Sequence, residues 1–299
     1  MNFQKTIVAV GSFDGVHCGH GLLLHRMNEL AKKNKLMSVV LTFWPHPRRI
    51  LDMEGNAPLL LNTLEERITL IKQYGVENVE VLHFDTSLAK VSAVDFINEI
   101  VIKKLNAQRL IFGQDHHFGR ERSGDAQNLP ALAGKNNLQV DVVSLKMLDK
   151  KISSSAIRKS LLSGDLDFAN EMLGYSYNIS GKIITGNRLG RTIGFPTANV
   201  ATPSYKLIPK EGVYRVKVKI GNSNFEHTGM MYVGKRTVLK QEDSDVQVEV
   251  NIFDFDKQIY GQEITLALTH RIRDKMKFDD INLLSQQLQR DKEKVMNVH

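Results

Sequence analysis

Three glycines and two histidines stand close together near the start of the chain, in the segment GSFDGVHCGH that begins at Gly11. Gly11 and Gly15 would let the backbone approach an anion closely. His17 and His20 are three residues apart, so at the start of a helix they would project toward one phosphate group. Donors there would stabilise charge on an attacked α-phosphate and on departing pyrophosphate. The pair could also be helix-capping or surface histidines, and a zinc site would need further ligands.

Three later segments could complete such a pocket, because each follows a predicted strand at its carboxyl end, where open α/β sheets bind ligands. They are WPHPRRI at 44–50, GQDHHFGRERSGD at 113–125 and ISSSAIR at 152–158. In the last segment the hydroxyls of Ser154 and Ser155, a helix amino terminus and Arg158 would form a second anion site. Each segment alone could equally be a turn or a cap.

A second glycine-rich segment, GKIITGNRLGRTIGFPTANV, begins at Gly181. Its three glycines at intervals of four are Gly186, Gly190 and Gly194. Backbone amides of such a loop can wrap a triphosphate. Pro196 then stiffens the chain ahead of Thr197 and Asn199, whose oxygens would point to the same side of an extended segment and suit a magnesium ion shared with ATP. The glycines could instead mark hairpin turns in an ordinary polar strand.

Glu249 is the one glutamate in the alternating segment DVQVEVNIFDFDKQIYG at 245–261. Phosphoryl transfer to an alcohol benefits from a carboxylate that accepts the hydroxyl proton, while a metal and a loop hold the phosphate charge. Glu249 is therefore a candidate base, although a strand carboxylate can also be a solvent-facing residue.

Between Thr6 and Val143, short β-branched runs alternate with longer amphipathic segments, which predicts a parallel sheet flanked by helices. The predicted strands are 6–10, 37–43, 79–84, 109–112 and 139–143, and the predicted helices are 19–33, 64–73, 93–105 and 127–136. A helical connector is predicted over 153–174. Beyond it, predicted strands at 179–185, 212–220, 227–233, 246–253 and 263–272 come without long helices between them, and a helix follows at 280–291. That succession indicates an antiparallel sheet or small barrel.

The composition limits the classes of protein to which the chain could belong. A chain of 299 residues exceeds the usual size of one domain, and a net charge of +7 suits phosphate handling. The single cysteine, Cys18, excludes an internal disulfide. No apolar run reaches the ~18 residues of a membrane span, and the first residues lack the organisation of a signal peptide. We therefore expect a cytoplasmic protein with no membrane partner.

Together with WPHPRRI, GQDHHFGRERSGD and ISSSAIR, the segment GSFDGVHCGH resembles the FAD synthetase branch of the HxGH nucleotidyltransferase superfamily. The resemblance implies that His17 and His20 contact ATP phosphates during attack by the phosphate of FMN, and that Ser154, Ser155 and Arg158 complete the triphosphate site. It also assigns further residues to ATP, namely Gly11, Phe13, Asp14 and Gly15. Residues assigned to the flavin are His46, Asp115 and Phe118.

The second motif resembles the riboflavin kinase family over about 120 residues. The matching segments are the glycine-rich stretch through PTAN, EGVY at 211–214, VEVNIFDFDKQIYG and IRDKMKFDD. The resemblance implies a six-stranded Greek-key barrel in which Glu249 is the base acting on the ribityl 5′-hydroxyl. ATP would be held by Gly186, Gly190, Gly194, Pro196, Thr197 and Asn199, the last two with Mg²⁺. Members usually have other residues where this chain has Tyr232, Thr237 and Asn251, the last replacing a common histidine.

Together the motifs resemble the bacterial bifunctional riboflavin kinase/FAD synthetase family. We expect a Rossmann-like α/β domain at 1–158, a helical linker at 159–178 and a barrel with a carboxy-terminal helix at 179–299. The expected ligands are riboflavin, FMN, FAD and ATP with Mg²⁺, without a prosthetic group. One alternative keeps only the kinase active, with the first module regulatory or weak. Another alternative is an RNA- or nucleotide-binding protein. It lacks support because the sequence does not show the interleaved aromatic residues and concentrated charge that such binding surfaces normally have.

Overall fold

A computed structural model describes residues 4–52, 54–114, 138–143, 152–186, 189–221, 223, 226–238, 241–278 and 280–298. The chain divides into two compact units, Met1–Ser153 and Ser154–His299. The boundaries expected at 158 and 178 stay a prediction. In the described part of the chain, no helix is both long and apolar enough for a bilayer crossing.

The first unit is a five-stranded parallel sheet with helices, as the alternating pattern predicts. Its strands are β1 (Thr6–Val10), β2 (Met37–Trp44), β3 (Asn78–His83), β4 (Ala107–Gly113) and β5 (Gln139–Val143), in the order β3-β2-β1-β4-β5. Its helices are α1 (Cys18–Asn34), α2 (Pro47–Leu51), α3 (Leu64–Gln73) and α4 (Ala93–Asp95), with a 3₁₀ turn at Leu88–Lys90. The central strand β1 is buried along its whole length, since a parallel sheet is covered on both faces.

Two helix predictions in this unit need comment. The predicted helix at 93–105 begins as α4 but continues as a π-helical segment, Phe96–Lys104. Its apolar residues still reach the core, where Phe96, Ile97 and Val101 are buried. The predicted helix at 127–136 lies outside the described residues.

The second unit starts with two helices where the sequence predicts one helical connector. They are α5 (Ser154–Ser163) and α6 (Leu166–Leu173). Gly164 between them adopts a φ of 89°, which ends α5, and the Asp165 side chain accepts a hydrogen bond from the Phe168 N–H (3.2 Å) to begin α6.

Six antiparallel strands then form a closed barrel, which confirms the expected architecture. They are β6 (Asn178–Ile184), β7 (Ala198–Ala201), β8 (Gly212–Ile220), β9 (Glu226–Val238), β10 (Gln241–Ile252) and β11 (Glu263–Asp274), in the order β10-β7-β6-β11-β8-β9. Strand β7 was not among the predicted strands. The glycine-rich stretch before it contains a four-residue helix, α7 (Leu189–Thr192), where only a loop was expected.

The last helix, α8 (Ile281–Asn297), packs on the outside of the barrel and extends beyond its predicted end. Arg273 of β11 holds it through Asp291, with Nε 3.0 and 2.9 Å from the two carboxylate oxygens. Asp291 is fully buried. The Arg215 Nε also donates to the Val295 carbonyl at 3.1 Å. These contacts fix α8 over the outer face of β8, β9 and β11.

Candidate active sites

The loop between β1 and α1 is bent sharply at the carboxyl end of the central strand. Phe13, Gly15 and Val16 adopt φ angles of 48°, 90° and 35°. The left-handed region is costly for Phe and for a β-branched Val, so the surrounding structure must hold these residues in place. The loop lies at the carboxyl end of β1, the edge at which open α/β sheets bind ligands, and its contact with phosphate stays a prediction.

Reciprocal hydrogen bonds fasten this loop to the segment that precedes α3. Oδ1 of Asp14 accepts from the backbone N–H groups of Leu61 (2.9 Å) and Asn62 (3.3 Å). In return, Oδ1 of Asn62 accepts from the Gly15 N–H at 2.8 Å. Asp14 and Phe13 are almost fully buried, so their side chains support the loop, and their assignment to ATP stays a prediction. Sequence reasoning missed Asn62, although it directly precedes the capping box of α3.

The two histidines of the motif are brought together. His17 caps α1, and its Nδ1 accepts the His20 N–H at 3.4 Å. Their rings stack with centroids 3.8 Å apart and planes at 16°. Burial lowers the pKa of His17 to about 4, against a smaller opposing effect of the Asp14 carboxylate. At neutral pH His17 is therefore uncharged, and with Nδ1 accepting, its proton sits on Nε2.

A buried arginine that sequence reasoning missed links α3 to the same edge of the sheet. Arg67 is fully buried, and its Nη1 donates to Oγ1 of Thr42 (3.4 Å) and to the Phe43 carbonyl (3.3 Å). The Thr42 hydroxyl donates in turn to the carbonyl of Ser12 in the β1–α1 loop at 3.3 Å. Arg67 stands three and four residues before the buried Leu70 and Ile71, so it lies on the inward face of α3. This spacing is the signal that could have identified it.

The other predicted residues of this site have separate positions. His46 is buried and caps α2, where its Nδ1 accepts the Arg48 N–H at 3.2 Å. Ser154, Ser155 and Arg158 lie in the first turns of α5. Asp115 and Phe118 lie outside the described residues. The ligand roles of these residues stay predictions.

In the barrel, three predicted residues meet on its outer face. Glu249 and Asn199 are directly opposite each other in the β10–β7 ladder. Val248 and Val250 are buried in the barrel, so Glu249, between them, points outward. Oγ1 of Thr197 donates to Oε2 of Glu249 at 3.2 Å. The predicted base and the two predicted metal-binding residues therefore form one group.

The glycines allow the chain to fold closely around this group. A Cβ on Gly186 would overlap the side-chain amide of Asn199, and one on Gly190 would overlap the carbonyl oxygen of Phe195. The Phe195 N–H donates to the Gly190 carbonyl at 2.8 Å. Gly194 has a φ of 79°. The segment therefore needs glycine for its own folding around Thr197 and Asn199, and its predicted contact with ATP stays a prediction.

The donor chemistry here fits magnesium. A hydroxyl, an amide and a carboxylate supply hard oxygens, and Mg²⁺ is usually held by one or two carboxylates together with substrate phosphates. Across the described residues, no group of three or more His, Cys, Asp or Glu side chains could hold a metal alone.

Comparisons with known proteins agree for both units. A family model for FAD synthetase matches residues 1–156, and one for riboflavin kinase matches residues 173–299. The bifunctional riboflavin kinase/FMN adenylyltransferase of Bacillus subtilis is 37% identical over 98% of this chain and 92% of that protein. Those of Haemophilus influenzae and Escherichia coli K12 are 36% and 33% identical, over 97% and 96% of this chain and 93% and 91% of theirs.

The chain belongs to the bifunctional riboflavin kinase/FMN adenylyltransferase family. A similar fold is found in a crystal structure of a Streptococcus pneumoniae protein described as a macrolide-efflux protein. It has a TM-score of 0.88 and 34% identity, over all of this chain and 96% of that one. Both family models and the curated relatives support the same family.

Two clefts flank Pro196 in the kinase unit of this family member. One, of about 870 Å³, lies between the Pro196 segment, the end of β10 and α8, and its lining includes Asn251, Phe253, Phe255 and Gln289. The other, of about 80 Å³, is bordered by residues that include Arg191, Thr197, Lys257 and Tyr260. The larger cleft therefore has the size of a small-molecule site next to Pro196, and the smaller recess includes Thr197 in its lining.

Two of the positions singled out in the sequence, Tyr232 and Asn251, lie near Glu249 on β9 and β10. Tyr232 is opposite Glu249 in the β9–β10 ladder, and burial and then the carboxylates of Glu211 and Glu249 raise its pKa. Tyr232 is therefore a neutral phenol at pH 7. The Nδ2 of Asn251 donates to the Pro196 carbonyl at 2.6 Å. The side chain of Thr237 lies outside the described residues.

Proposed function

We propose that this chain phosphorylates riboflavin to FMN at the barrel and adenylylates FMN to FAD at the parallel sheet, with ATP as the donor for both reactions. The observation that carries the proposal is the Thr197–Glu249 hydrogen bond of 3.2 Å. It joins a carboxylate able to accept a proton to a segment suited to Mg-ATP, on one face of a rigid barrel. Membership of the bifunctional family supports both activities over a single active module.

At the barrel, Glu249 takes the proton of the primary alcohol as its oxygen attacks the terminal phosphorus of ATP. FMN and ADP are the products. Thr197 orients the carboxylate, since its hydroxyl donates to Oε2. Mg²⁺ held with ATP by Thr197 and Asn199 would neutralise phosphate charge. A general base of this kind contributes about 10²- to 10⁴-fold to the rate.

The two clefts suit the two substrates. The larger volume, about 870 Å³ with Phe253 and Phe255 in its lining, is within the range of small-molecule sites and offers aromatic surface for a flat flavin ring. The smaller recess, about 80 Å³, contains the cationic side chains of Arg191 and Lys257 and borders Thr197, which suits a phosphate group of ATP and not the whole nucleotide. In this proposal the flavin occupies the larger cleft and the ATP phosphates lie beside Thr197, with Pro196 between them.

At the parallel sheet, the phosphate of FMN attacks the α-phosphorus of ATP and pyrophosphate departs. The loop between β1 and α1 holds His17 at the amino terminus of α1, and neutral His17 can donate from Nε2. His20, stacked on His17, supplies the second ring of the motif. The family motif also assigns Ser154, Ser155 and Arg158 of α5 to ATP, and that assignment stays a prediction. No covalent enzyme intermediate is needed, because FMN is itself the nucleophile.

The test is to supply purified protein with riboflavin and Mg-ATP, separate the flavins by chromatography and measure ADP and pyrophosphate. We expect FMN to appear first, with one ADP released for each FMN formed. FAD should follow, with one pyrophosphate released for each FAD formed. A protein that forms neither FMN nor FAD would contradict the proposal. A protein that forms FMN but no FAD would restrict it to the barrel.

A further inference from the structure

The segment that carries Thr197 begins just before strand β7 and is not part of a ladder. The β7–β10 pairs run from Val200–Val248 to Ala198–Val250. Ala198–Val250 is the first of these pairs along β7, and Pro196 and Thr197 come before it. Both residues are exposed to solvent. The position of the Thr197 hydroxyl beside Glu249 therefore depends on contacts other than strand pairing.

A side chain from β10 supplies such a contact. The Nδ2 of Asn251 donates to the Pro196 carbonyl at 2.6 Å, and Asn251 is only 7% exposed. Asn251 stands two residues after Glu249, so both side chains project from the same outer face. The carbonyl it binds belongs to the peptide unit that leads directly into Thr197. The bond consequently sets the direction in which Thr197 leaves Pro196.

We propose that Asn251 is a positioning residue of the kinase site, which fixes the Pro196–Thr197 peptide to β10 and thereby sets the distance between Thr197 and Glu249. This inference rests on the proposed function of the barrel. Asn251 also lines the larger cleft, but the contact that positions Thr197 is its bond to the Pro196 carbonyl. Because Thr197 is assigned to Mg-ATP, the metal dependence of nucleotide binding reports on this role.

The main variant is Asn251→Leu, which keeps a similar volume and removes the donor. The loss of a neutral hydrogen bond weakens an interaction by about tenfold at most. We expect the Mg²⁺-dependent gain in ADP affinity, measured by calorimetry on the full chain, to fall by about that factor. The kcat for riboflavin should fall with it, while ADP binding without Mg²⁺ should change little. Asn251→His keeps a ring N–H donor at this position and should restore most of the Mg²⁺ effect.

A matched control is available in the same unit. The Nδ2 of Asn170 donates to the Leu268 carbonyl at 3.0 Å, and its Oδ1 accepts the Tyr177 N–H at 2.8 Å. Asn170→Leu therefore loses comparable bonds at a different place. It should lower the thermal unfolding temperature without changing the Mg²⁺ effect. If Asn251→Leu behaves like this control, the inference is wrong.

A double-mutant cycle with Thr197→Ala tests whether Asn251 acts through Thr197. Residues that act through one another are strongly non-additive, so Asn251→Leu should have little further effect once the Thr197 hydroxyl is absent. If the two effects simply multiply, Asn251 acts independently and the proposal fails. Wild-type protein that binds Mg-ADP but does not phosphorylate riboflavin would contradict the proposed function, and the calorimetric cycle would still decide the role of Asn251.

Discussion

Replacement of Asn62 by alanine should damage the adenylyltransferase site while leaving the kinase intact. Asn62 is fully buried, and its Oδ1 accepts the Gly15 N–H at 2.8 Å. Without it, a buried backbone donor loses its partner in a loop where Phe13 and Val16 already hold positive φ angles. An unsatisfied buried donor costs about 1–3 kcal/mol. The free energy of unfolding of the first unit should therefore fall by an amount in that range. The β1–α1 loop should also lose its fixed shape.

The magnitude can be tested by calorimetry and by separate assays of the two reactions. For a unit of this size, each kcal/mol lowers the unfolding temperature by about 2–4 °C, so a loss of about 2–12 °C is expected. FAD formation from FMN should fall by about tenfold or more at 25 °C, because transition-state stabilisation depends on precise donor placement. FMN formation from riboflavin should remain at the wild-type rate.

Asn28 provides the control for this experiment. Its Nδ2 donates to the Tyr74 carbonyl at 2.7 Å, within the same unit but outside the β1–α1 loop. Asn28→Ala should lower the unfolding temperature yet leave FAD formation nearly unchanged below it. The reasoning would be refuted if Asn62→Ala left FAD formation unchanged, or if both Asn variants reduced it equally at matched stability.

Two further predictions concern buried ionisable groups. The pKa of His17 is lowered to about 4 from 6.5, so between these values the unfolded chain binds a proton that the folded protein does not. The unfolding free energy should therefore fall by at most about 3 kcal/mol as the pH drops from 6.5 to 4, and a pH series of denaturant titrations should show a smaller fall for His17→Gln. An equal fall in both proteins would assign it to other groups. In the barrel, Asp291→Asn leaves Arg273 without its buried carboxylate and should cost about 3–5 kcal/mol by denaturant unfolding. A loss below about 1 kcal/mol would show that α8 is held mainly by its apolar contacts.

Much of the fold follows from local signals in the sequence. The five strands of the sheet stand out because β-branched runs alternate with amphipathic segments, and α3 has its predicted bounds because Thr63 and Glu66 form a capping box. Other features depend on distant contacts. Strand β7 has only four residues and follows a glycine- and proline-rich stretch, so its pairing with β6 and β10 determines that it is a strand.

The candidate sites show the same division. The spacing of His17 and His20 predicts that they face one group, and their rings do stack. Thr197 and Glu249 are 52 residues apart, and spacing alone did not predict their contact, which depends on barrel register. Only the resemblance to riboflavin kinases brought them together at the level of sequence. Asn62 and Arg67 were missed because their roles arise from burial next to a loop distant in the chain.

The central claim is that the chain holds two chemically separate ATP sites. The most direct measurement compares Glu249→Gln and His20→Ala with wild-type protein in two assays, ADP release from riboflavin plus ATP and pyrophosphate release from FMN plus ATP. We predict that Glu249→Gln lowers ADP release by about 10²-fold or more and leaves pyrophosphate release unchanged, and that His20→Ala does the reverse. Equal loss of both products in either variant would contradict the account.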